Sequence, residues 1–295
     1  MTPLCVIFRH PASRNLGSSH TESQEVNTMS AVKGTAVVTG ASTGMGAIYA
    51  SRLAQMGYDL IIVARDHNRL NQLASHITTD TERSVEVVAA DLSDPRGLAI
   101  VEAKLREDNS ITLLVNNAGM GTHTALVDSD VDKMTAMIAL NVTALTRLTY
   151  AAVPGFVARG RGAIINIASI VGIAPEVLNG VYGASKAYVL AFSRSLHHEL
   201  AGKGIQIQAV LPGATATPFW ENGGLSLDKV DPGIVMNAQE MVDAALAGFR
   251  QGELITIPSL HDETRLKAWE QARQAVIGDF SHNVPAARYQ ASSAN

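Results

Sequence analysis

From Lys33 onward, short β-branched runs alternate with segments of helix length, and this alternation constrains the fold more than any other feature of the chain. The predicted strands are Thr35–Thr39, Asp59–Ala64, Val85–Ala89, Thr112–Asn116, Ala163–Ala168, Ile205–Leu211 and Glu253–Ile257. The predicted helices end near Met56, cover about Asn68–Ile77, follow Pro95, and cover about Ser129–Arg159, Tyr182–Leu200 and Gln239–Phe249. The strands are nearly continuously apolar, which is typical of strands covered on both faces. The pattern therefore predicts an α/β fold, a doubly wound parallel sheet of about seven strands with helices on both faces.

A glycine-rich turn follows the first predicted strand, with the sequence Thr39-Gly-Ala-Ser-Thr-Gly-Met-Gly46. In doubly wound sheets, ligands bind beyond the carboxyl ends of the strands. Glycines let the backbone approach a pyrophosphate, and the N-terminus of the following helix supplies free N–H groups and a positive dipole. A glycine turn without a ligand is the alternative, but the strand before and the helix after favour a dinucleotide site. Its predicted members are Gly40, Ser42, Thr43, Gly44, Met45 and Gly46.

The residues after the second strand indicate which dinucleotide binds. Sites for NAD usually hold an acid here that bonds the ribose 2′-hydroxyl, whereas an arginine accommodates the 2′-phosphate of NADP. Arg65 follows the strand in this chain, and its guanidinium fork suits a phosphate. Asp66 is placed to pair with Arg65 or to compete for a ribose. The sequence therefore predicts NADP as the preferred cofactor and leaves NAD possible.

Further candidate cofactor contacts follow the later strands. Asp91 and Leu92 suit the edge and face of an adenine, although Asp91 equally suits the start of a helix before Pro95. The other candidates are small or polar residues after the fourth and sixth strands: Asn117, Ala118, Gly119, Pro212, Gly213, Thr215 and Thr217. We expect the amides of Asn116 and Asn117 to bridge neighbouring strand ends. An ordinary turn is the alternative at each place.

Tyr182-Gly-Ala-Ser-Lys186 lies near the start of a predicted helix. Residues four apart share one helix face, so the phenol and the ammonium would lie side by side. A neighbouring positive charge favours the phenolate and lowers the pKa of a tyrosine, which allows general acid/base chemistry near neutral pH. Taken alone, such a pair is weak evidence, because chance also supplies this spacing.

Together these motifs resemble the short-chain dehydrogenase/reductase family. The motifs are Thr39-Gly-x3-Gly-x-Gly46, Asp91-Leu92, Asn116-Asn-Ala-Gly119, Asn141, Ser169, Tyr182-x3-Lys186 and Pro212-Gly213. They occur in the family's order over about residues 33–258. The resemblance implies a single Rossmann-type domain and hydride transfer between NAD(P) and an alcohol or carbonyl.

The resemblance also implies a role for four residues. Tyr182 is expected to be the acid/base, and Ser169 to hydrogen-bond the same substrate oxygen. Lys186 is expected to hold the cofactor ribose hydroxyls and to lower the pKa of Tyr182. Asn141 is expected to anchor a water that continues the proton path from Lys186.

The substrate region is expected between Thr217 and Asn237, where the family places its substrate loop. Phe219 and Trp220 suit an apolar wall, and simple packing of this segment on the body is the alternative. His123, just past the Asn116 motif, is a further candidate for the pocket. The predicted substrate is a small or medium apolar carbonyl or alcohol.

Composition excludes several other functions. The 295 residues carry a formal net charge of −4 without a basic cluster, so neither nucleic acid nor an anionic membrane is an expected partner. No apolar run is expected to approach the ~20 residues that span a bilayer. A single cysteine, Cys5, excludes an internal disulfide framework and suggests a cytoplasmic protein. No metal site is expected, because His197 and His198 point differently on a helix.

The two ends differ from the central region. Residues 1–30 are polar and are predicted to be a disordered tail; a transit peptide, or a start at Met29, is the alternative. Residues 31–260 are the predicted NAD(P)-binding domain. Residues 261–295 are the predicted extension, with an amphipathic helix over Glu263–Ile277 that covers the substrate pocket or contacts another subunit. By resemblance, the protein is expected to form a homo-oligomer, a dimer or tetramer.

Three functions agree with these residues. The first is an NADP-preferring alcohol dehydrogenase or carbonyl reductase. The second is a non-catalytic dinucleotide-binding sensor or scaffold, against which the complete Ser169, Tyr182 and Lys186 set argues. The third keeps the fold but changes the reaction, to an epimerase or dehydratase.

Overall fold

The computed structural model describes residues 33–289, in which seven parallel strands form one sheet. Their order is β3-β2-β1-β4-β5-β6-β7. The strands are β1 Thr35–Thr39, β2 Asp59–Ala64, β3 Val85–Ala89, β4 Ile111–Asn116, β5 Gly162–Ile167, β6 Ile205–Val210 and β7 Ile255–Thr256. The predicted α/β fold, a doubly wound Rossmann-type sheet, is confirmed. Strand β7 is shorter than predicted, because it pairs only with the last two residues of β6, Ala209 and Val210.

Helices cover both faces of the sheet. They are α1 Gly44–Gln55, α2 His67–Thr81, α3 Pro95–Glu107, α4 Val131–Ile138, α5 Leu145–Arg159, α6 Gly180–Glu199, α7 Phe219–Asn222, α8 Ala238–Arg250 and α9 Glu263–Ala275. Helices α1, α2 and α8 bury one apolar face, which includes Leu53 and Leu246. Helices α3, α5 and the end of α6 bury another, which includes Leu98 and Phe156. The strands are thus covered on both sides, as their continuous apolar sequences predict.

The order of the sheet reverses at its centre, where β1 lies between β2 and β4. The chain leaves the edge strand β3 and returns to the far side of β1 to form β4. Such a switch point opens a crevice at the carboxyl ends of the two central strands. The glycine turn after β1 and the Asn116 motif after β4 both lie at this crevice.

A continuous helix over Val131–Arg159 contains an irregular turn. Helix α4 passes into a π-helical turn, Ala139–Ala144, which passes directly into α5. Met137 before the turn packs with Tyr182, whereas Phe156 after it packs with the sheet. The two halves of the helix therefore serve different cores.

By length and composition, the helix over Val131–Arg159 is apolar enough to cross a membrane. The sequence-based statement that no apolar run approaches this length was therefore wrong. Of the most apolar window of this helix, 44% is buried inside the protein. Leu148 and Ala152 belong to the core against the sheet, so packing explains much of the apolar character.

The predicted C-terminal helix is present as α9, and it packs on the body. Leu266 and Trp269 contact a cluster that contains Val189 of α6. The Arg194 guanidinium of α6 lies 4.7 Å from the Trp269 ring centre and forms an ion pair with Glu270.

The amphipathic pattern of this segment was only partly correct. The α-helix ends at Ala275 and a 3₁₀ turn follows, so Val276 and Ile277 are exposed instead of packed. The predicted disordered tail, together with Cys5, lies outside the described residues, as do residues 290–295.

Candidate active site

The glycine turn after β1 exposes the N-terminus of α1 to an anion. Gly40 and Gly44 have φ of +66° and +57°, which favours glycine. A Cβ on Gly46 would lie 2.2 Å from the Gly40 carbonyl oxygen, so only glycine fits. Thr43 caps the helix without a side-chain hydrogen bond to any described residue, and the first turn carries no acid. This close approach and uncompensated helix dipole fit a dinucleotide pyrophosphate.

Asn117 joins the glycine turn to the end of β4. Its side-chain amide donates to the carbonyl oxygens of Thr39 at 2.8 Å and Gly40 at 3.2 Å. Asn116 donates in turn to Asn166 of β5 at 2.9 Å. The prediction that these amides bridge strand ends is confirmed. The side-chain N–H groups of Asn117 are therefore used to hold the turn. The predicted contact with the cofactor would have to come from other atoms of this residue.

Arg65 lies at the end of β2 with an exposed side chain. Within residues 33–289, neither a hydrogen bond nor an ion pair occupies its guanidinium. Asp66, which was expected to pair with Arg65 or compete for a ribose, instead caps α2. It accepts from the Arg69 N–H at 3.0 Å and lies 3.3 Å from the Arg69 Nε. Arg65 therefore keeps its donors for a ligand.

Asp91 does not start the helix before Pro95; Asp94 is the cap residue. Asp91 accepts instead from the N–H and hydroxyl of Ser93. The Ser93 hydroxyl lowers the pKa of Asp91, and the charge of Arg65 lowers it further. Leu92 is only 5% exposed and packs in the core, so little of its side chain is left to meet an adenine face.

Tyr182, Lys186 and Ser169 meet at the carboxyl end of β5. Asn179 caps α6 by accepting from the N–H groups of Val181 and Tyr182, which fixes the start of the helix two residues before the tyrosine. The side chains of the three site residues are buried: Tyr182 is 6% exposed, Lys186 5% and Ser169 8%. The Lys186 Nζ lies 5.9 Å from the Tyr182 ring centre, as their shared helix face predicts.

The pKa values in this site are set mainly by burial. Burial raises the pKa of Tyr182 to about 12, against a smaller lowering by its hydrogen bond with the Ser169 hydroxyl. Burial lowers the pKa of Lys186 to about 8. The expected lowering of the pKa of Tyr182 by Lys186 is therefore not present in this structure. Desolvation penalises the charged form of each group. It therefore keeps the phenol protonated and makes the ammonium lose its proton more easily.

Asn141 lies in the π-helical turn and supports the loop after β4. Its side chain accepts from the Met120 N–H at 2.9 Å, and donates to the Met120 carbonyl at 2.8 Å and to the Ser185 hydroxyl at 3.1 Å. A Cβ on Gly119 would lie 3.2 Å from the Asn141 Oδ1 and 3.6 Å from the Lys186 Nζ. The Asn141 amide and the Lys186 ammonium thus both lie next to Gly119. Turns of the π-helical kind are frequent at functional sites.

A cavity of about 350 Å³ opens onto Tyr182, Lys186 and Ser169. Of the predicted cofactor contacts, the structure brings to this cavity Met45, Asn117, Gly119, Pro212, Gly213, Thr215 and Thr217. Arg65, Asp91 and Leu92 lie instead at the ends of β2 and β3. The remaining predicted contacts are not part of the cavity lining either: Gly40, Ser42, Thr43, Gly44, Gly46 and Ala118. The outer wall is apolar, with Ile170, Val171, Leu178, Leu225, Val230 and Ile234.

Aromatic rings form one wall of the cavity. The Phe219 ring centre lies 5.7 Å from that of Tyr182, and Trp220 meets Phe219 edge-on at 6.3 Å. His123 stacks on Trp220, with ring centres 5.1 Å apart and planes at 10°. Gly121 makes room for this wall, because a Cβ there would lie 2.3 Å from Phe219. The predicted aromatic wall is present, and His123 belongs to it.

Sequence reasoning missed residues of the outer wall such as Val171 and Leu178, whereas Val230 lies inside the predicted substrate region. Val171 and Leu178 come from irregular segments after β5, where no periodic pattern marks a face. Lys229 also lines the cavity, and it is exposed. Within residues 33–289, no three His, Cys, Asp or Glu side chains cluster in a way that would hold a metal ion.

Comparison with known proteins supports this geometry. Residues 34–225 match the sequence model of the short chain dehydrogenases, which covers more than half of the chain. The chain belongs to the short-chain dehydrogenase/reductase family. This family consists of NAD(P)-dependent oxidoreductases that act on small molecules, and the glycine turn described above fits such a dinucleotide. The family predicted from the sequence is confirmed.

Two solved members of the short-chain dehydrogenase/reductase family are similar over most of the chain. A short-chain dehydrogenase from Sphingobium yanoikuyae, in complex with NADPH, is 46% identical with a TM-score of 0.84, over 87% of this chain and 100% of that one. The bulky-bulky ketone specific alcohol dehydrogenase from Comamonas testosteroni is 44% identical with a TM-score of 0.80, over 87% and 98%. An uncharacterized oxidoreductase from Staphylococcus epidermidis is 31% identical, over 75% of this chain and 93% of its own.

Proposed function

We propose that this protein is an NADPH-preferring reductase of apolar ketones, and the corresponding alcohol dehydrogenase in reverse. One observation carries the proposal: Tyr182, Ser169 and Lys186 converge on the floor of a cavity of about 350 Å³ whose walls are apolar and aromatic. The polar groups needed for chemistry thus lie at one end, and the rest of the cavity suits hydrocarbon.

Tyr182 is the proposed acid. Its pKa of about 12 keeps the phenol protonated at neutral pH, so it has a proton to donate to a carbonyl oxygen. A bound NADPH would supply the hydride. The Ser169 hydroxyl donates to the Pro212 carbonyl at 3.4 Å in this structure, and we expect it to turn and donate a second hydrogen bond to the substrate oxygen as negative charge develops there.

Lys186 and Asn141 are the proposed positioning and proton-relay residues. The Lys186 ammonium donates to the Ile167 carbonyl at 2.8 Å, which holds it at the end of β5. The ammonium carries further N–H donors for cofactor ribose hydroxyls. The Asn141 side chain and this ammonium both lie next to Gly119, and a water bound between them would continue a proton path.

The preference for NADPH rests on Arg65. Its guanidinium is exposed and unpaired within the described residues, whereas the carboxylate of Asp66 is used to cap α2. An arginine fork recognises a phosphate, such as the 2′-phosphate of NADPH. The Asp66 carboxylate is already used, so it is not free to bond the ribose 2′-hydroxyl of NADH. The relative from Sphingobium yanoikuyae was solved with NADPH, which agrees with this choice.

We also propose that the protein forms a homo-oligomer. Large apolar side chains are exposed around helix α4 and on α5, among them Leu126, Val127, Val131 and Tyr150. Leu126, Val127 and Val131 are close in sequence, and a contiguous exposed apolar patch marks an association site. Light scattering behind a sizing column measures the mass in solution, and a monomer at micromolar concentration would remove this part of the proposal.

The substrate part is tested by measuring NADPH and NADH oxidation with aryl alkyl ketones and diaryl ketones, and with polar sugar ketones for comparison. We expect the apolar ketones to be reduced with NADPH, and kcat/KM to favour them over the sugars. Tight NADPH binding without turnover of any ketone would instead support a non-catalytic sensor. Product analysis distinguishes reduction from epimerisation and dehydration, because only reduction consumes one NADPH per alcohol formed.

A further inference from the structure

His123 is a polar side chain in the aromatic wall that the proposed reaction does not use. It lies in the loop after β4 and lines the cavity. Its imidazole stacks on Trp220, whose own orientation is fixed by a hydrogen bond from Nε1 to the Thr215 carbonyl at 2.7 Å. The imidazole therefore rests on a firmly held indole.

Both ring nitrogens of His123 are shielded from solvent, and neither has a hydrogen-bond partner among the described residues. Leaving a buried donor or acceptor unpaired is unfavourable, and native proteins do so rarely. Burial also lowers the pKa of His123, so the imidazole at neutral pH is neutral, with one N–H donor and one acceptor. Among the described residues no hydrogen bond holds the ring, so it can turn toward a ligand without breaking one.

The aromatic wall connects this unpaired group to the reacting centre. Three consecutive ring contacts, at 5.7, 6.3 and 5.1 Å, lead from Tyr182 through Phe219 and Trp220 to His123. A ketone whose oxygen meets Tyr182 would extend one substituent along these rings. His123 is then the polar group at the remote end of an otherwise apolar wall.

We propose that His123 is a specificity-determining residue: its N–H donates a hydrogen bond to an acceptor oxygen on the substrate arm remote from the reacting carbonyl. The proposal rests on the proposed function and narrows its substrate class. The favoured substrates are ketones with a flat or slender apolar arm that carries an ether or second carbonyl oxygen at the distance of His123. Ketones whose remote arm is a pure hydrocarbon leave the imidazole unpaired.

The test is an oxygen scan with the full-length protein and NADPH. The probes are hexanophenone and its analogues in which one ether oxygen replaces successive methylene groups of the alkyl arm, starting at the second methylene from the carbonyl so that every probe remains a ketone. Because all analogues carry the same polar atom, comparing them removes the general penalty for placing an oxygen in an apolar cavity. For the wild type, we expect kcat/KM to peak at one oxygen position, about tenfold above the other positions.

Variants of His123 assign that peak. His123→Phe keeps a flat ring on Trp220 but removes both nitrogens, so the peak should disappear. His123→Gln keeps a donor without the ring and should restore part of it. His197→Phe changes an exposed histidine at the end of α6 and serves as the matched control, with the wild-type profile.

Two results would overturn the proposal: a wild-type scan without a preferred position, or a peak that persists in His123→Phe. Thermal melting checks the fold of each variant, and His123→Leu with His123→Gln replaces the comparison if His123→Phe does not fold. Both of these results require that the ketones are reduced, so they overturn the role of His123 alone. If the proposed function is wrong, neither hexanophenone nor any analogue is reduced, and both proposals fail.

Discussion

The Lys186 ammonium lies 5.9 Å from the centre of the Tyr182 ring, yet it donates to the Ile167 carbonyl at 2.8 Å. Both side chains are buried, which raises the pKa of the phenol to about 12 and lowers that of the ammonium to about 8. At neutral pH, a cationic lysine therefore stands beside a neutral tyrosine. This is the protonation state that donation to a carbonyl oxygen requires.

The first prediction concerns Tyr182. Tyr182→Phe removes the proposed acid while keeping the ring against Phe219, so kcat for ketone reduction should fall by about 100- to 10,000-fold. The dissociation constant of NADPH, measured by fluorescence titration, should change far less. Tyr188→Phe is the matched control, since Tyr188 lies on the same helix and its hydroxyl bonds Thr146 outside the cavity. Equal turnover by the wild type and Tyr182→Phe would refute the assigned role.

The pKa of Lys186 predicts how stability depends on pH. The folded state has the lower pKa, about 8 against 10.5, so between these pH values the unfolded chain binds more protons. Stability must rise with pH in this window, by roughly 3 kcal/mol in total. Lys186→Met lacks the titrating group and should lack this rise. Denaturant unfolding of both proteins without cofactor, from pH 7.5 to 10.5, measures the difference; parallel curves would show that Lys186 is not desolvated as described.

Cofactor choice tests Arg65. Arg65→Ala should raise the KM for NADPH by about 10- to 100-fold, the value of a charge-assisted phosphate contact, and leave the KM for NADH nearly unchanged. Arg69→Ala is the control, because the Arg69 guanidinium pairs with Asp66. Equal losses with both cofactors would remove Arg65 from phosphate recognition.

Gly46 tests the approach of the turn to the helix. The Cβ of Gly46→Ala would meet the Gly40 carbonyl oxygen at 2.2 Å and the Asn117 Nδ2 at 2.5 Å, so the turn must move. We expect a loss of about 1–3 kcal/mol in stability together with weakened NADPH binding. Gly278→Ala, which meets no heavy atom within 4 Å, should change neither. Calorimetry and cofactor titration measure both quantities, and wild-type cofactor affinity in Gly46→Ala would exclude the turn from the site.

The C-terminal helix provides a test of packing. Trp269→Ala removes a half-buried ring that contacts Arg194 and the core, and should destabilise the protein by about 1–3 kcal/mol. Ile277→Ala lies on the same predicted face but is exposed, so its effect should stay within about 0.5 kcal/mol. Denaturant midpoints compare the two. Equal effects would mean that α9 does not dock as described.

Much of the fold could be predicted from the sequence because local pattern and tertiary structure agree. A strand such as Asp59–Ala64 is apolar at nearly every position, which suits only a strand with both faces covered. The glycine turn was predictable too, because the close approach of Gly46 to the Gly40 carbonyl allows only a residue without a side chain. The Tyr182 and Lys186 pair follows from helix geometry.

Other features depend on contacts between distant parts of the chain. The pKa of Tyr182 is raised by burial under segments such as that of Phe219, so the spacing to Lys186 gave the wrong sign. Leu92 was placed after β3 and assigned to an adenine face, yet its side chain packs in the core, because its distant neighbours decide where it lies. The role of His123 in the wall depends on the loop that brings Trp220 against it.

The π-helical turn over Ala139–Ala144 has a consequence for how this chain tolerates insertion and deletion. A π turn contains one more residue than an α-helical turn, and each residue of an α-helix advances about 100° around its axis. The extra residue sets Met137 against Tyr182 and, further along, Phe156 against the sheet. Deleting one residue here would leave a regular helix but rotate one half relative to the other by about a quarter turn or more. Either the cavity floor or the sheet packing would then be lost, so the number of residues in this turn is fixed by the two cores that the helix joins.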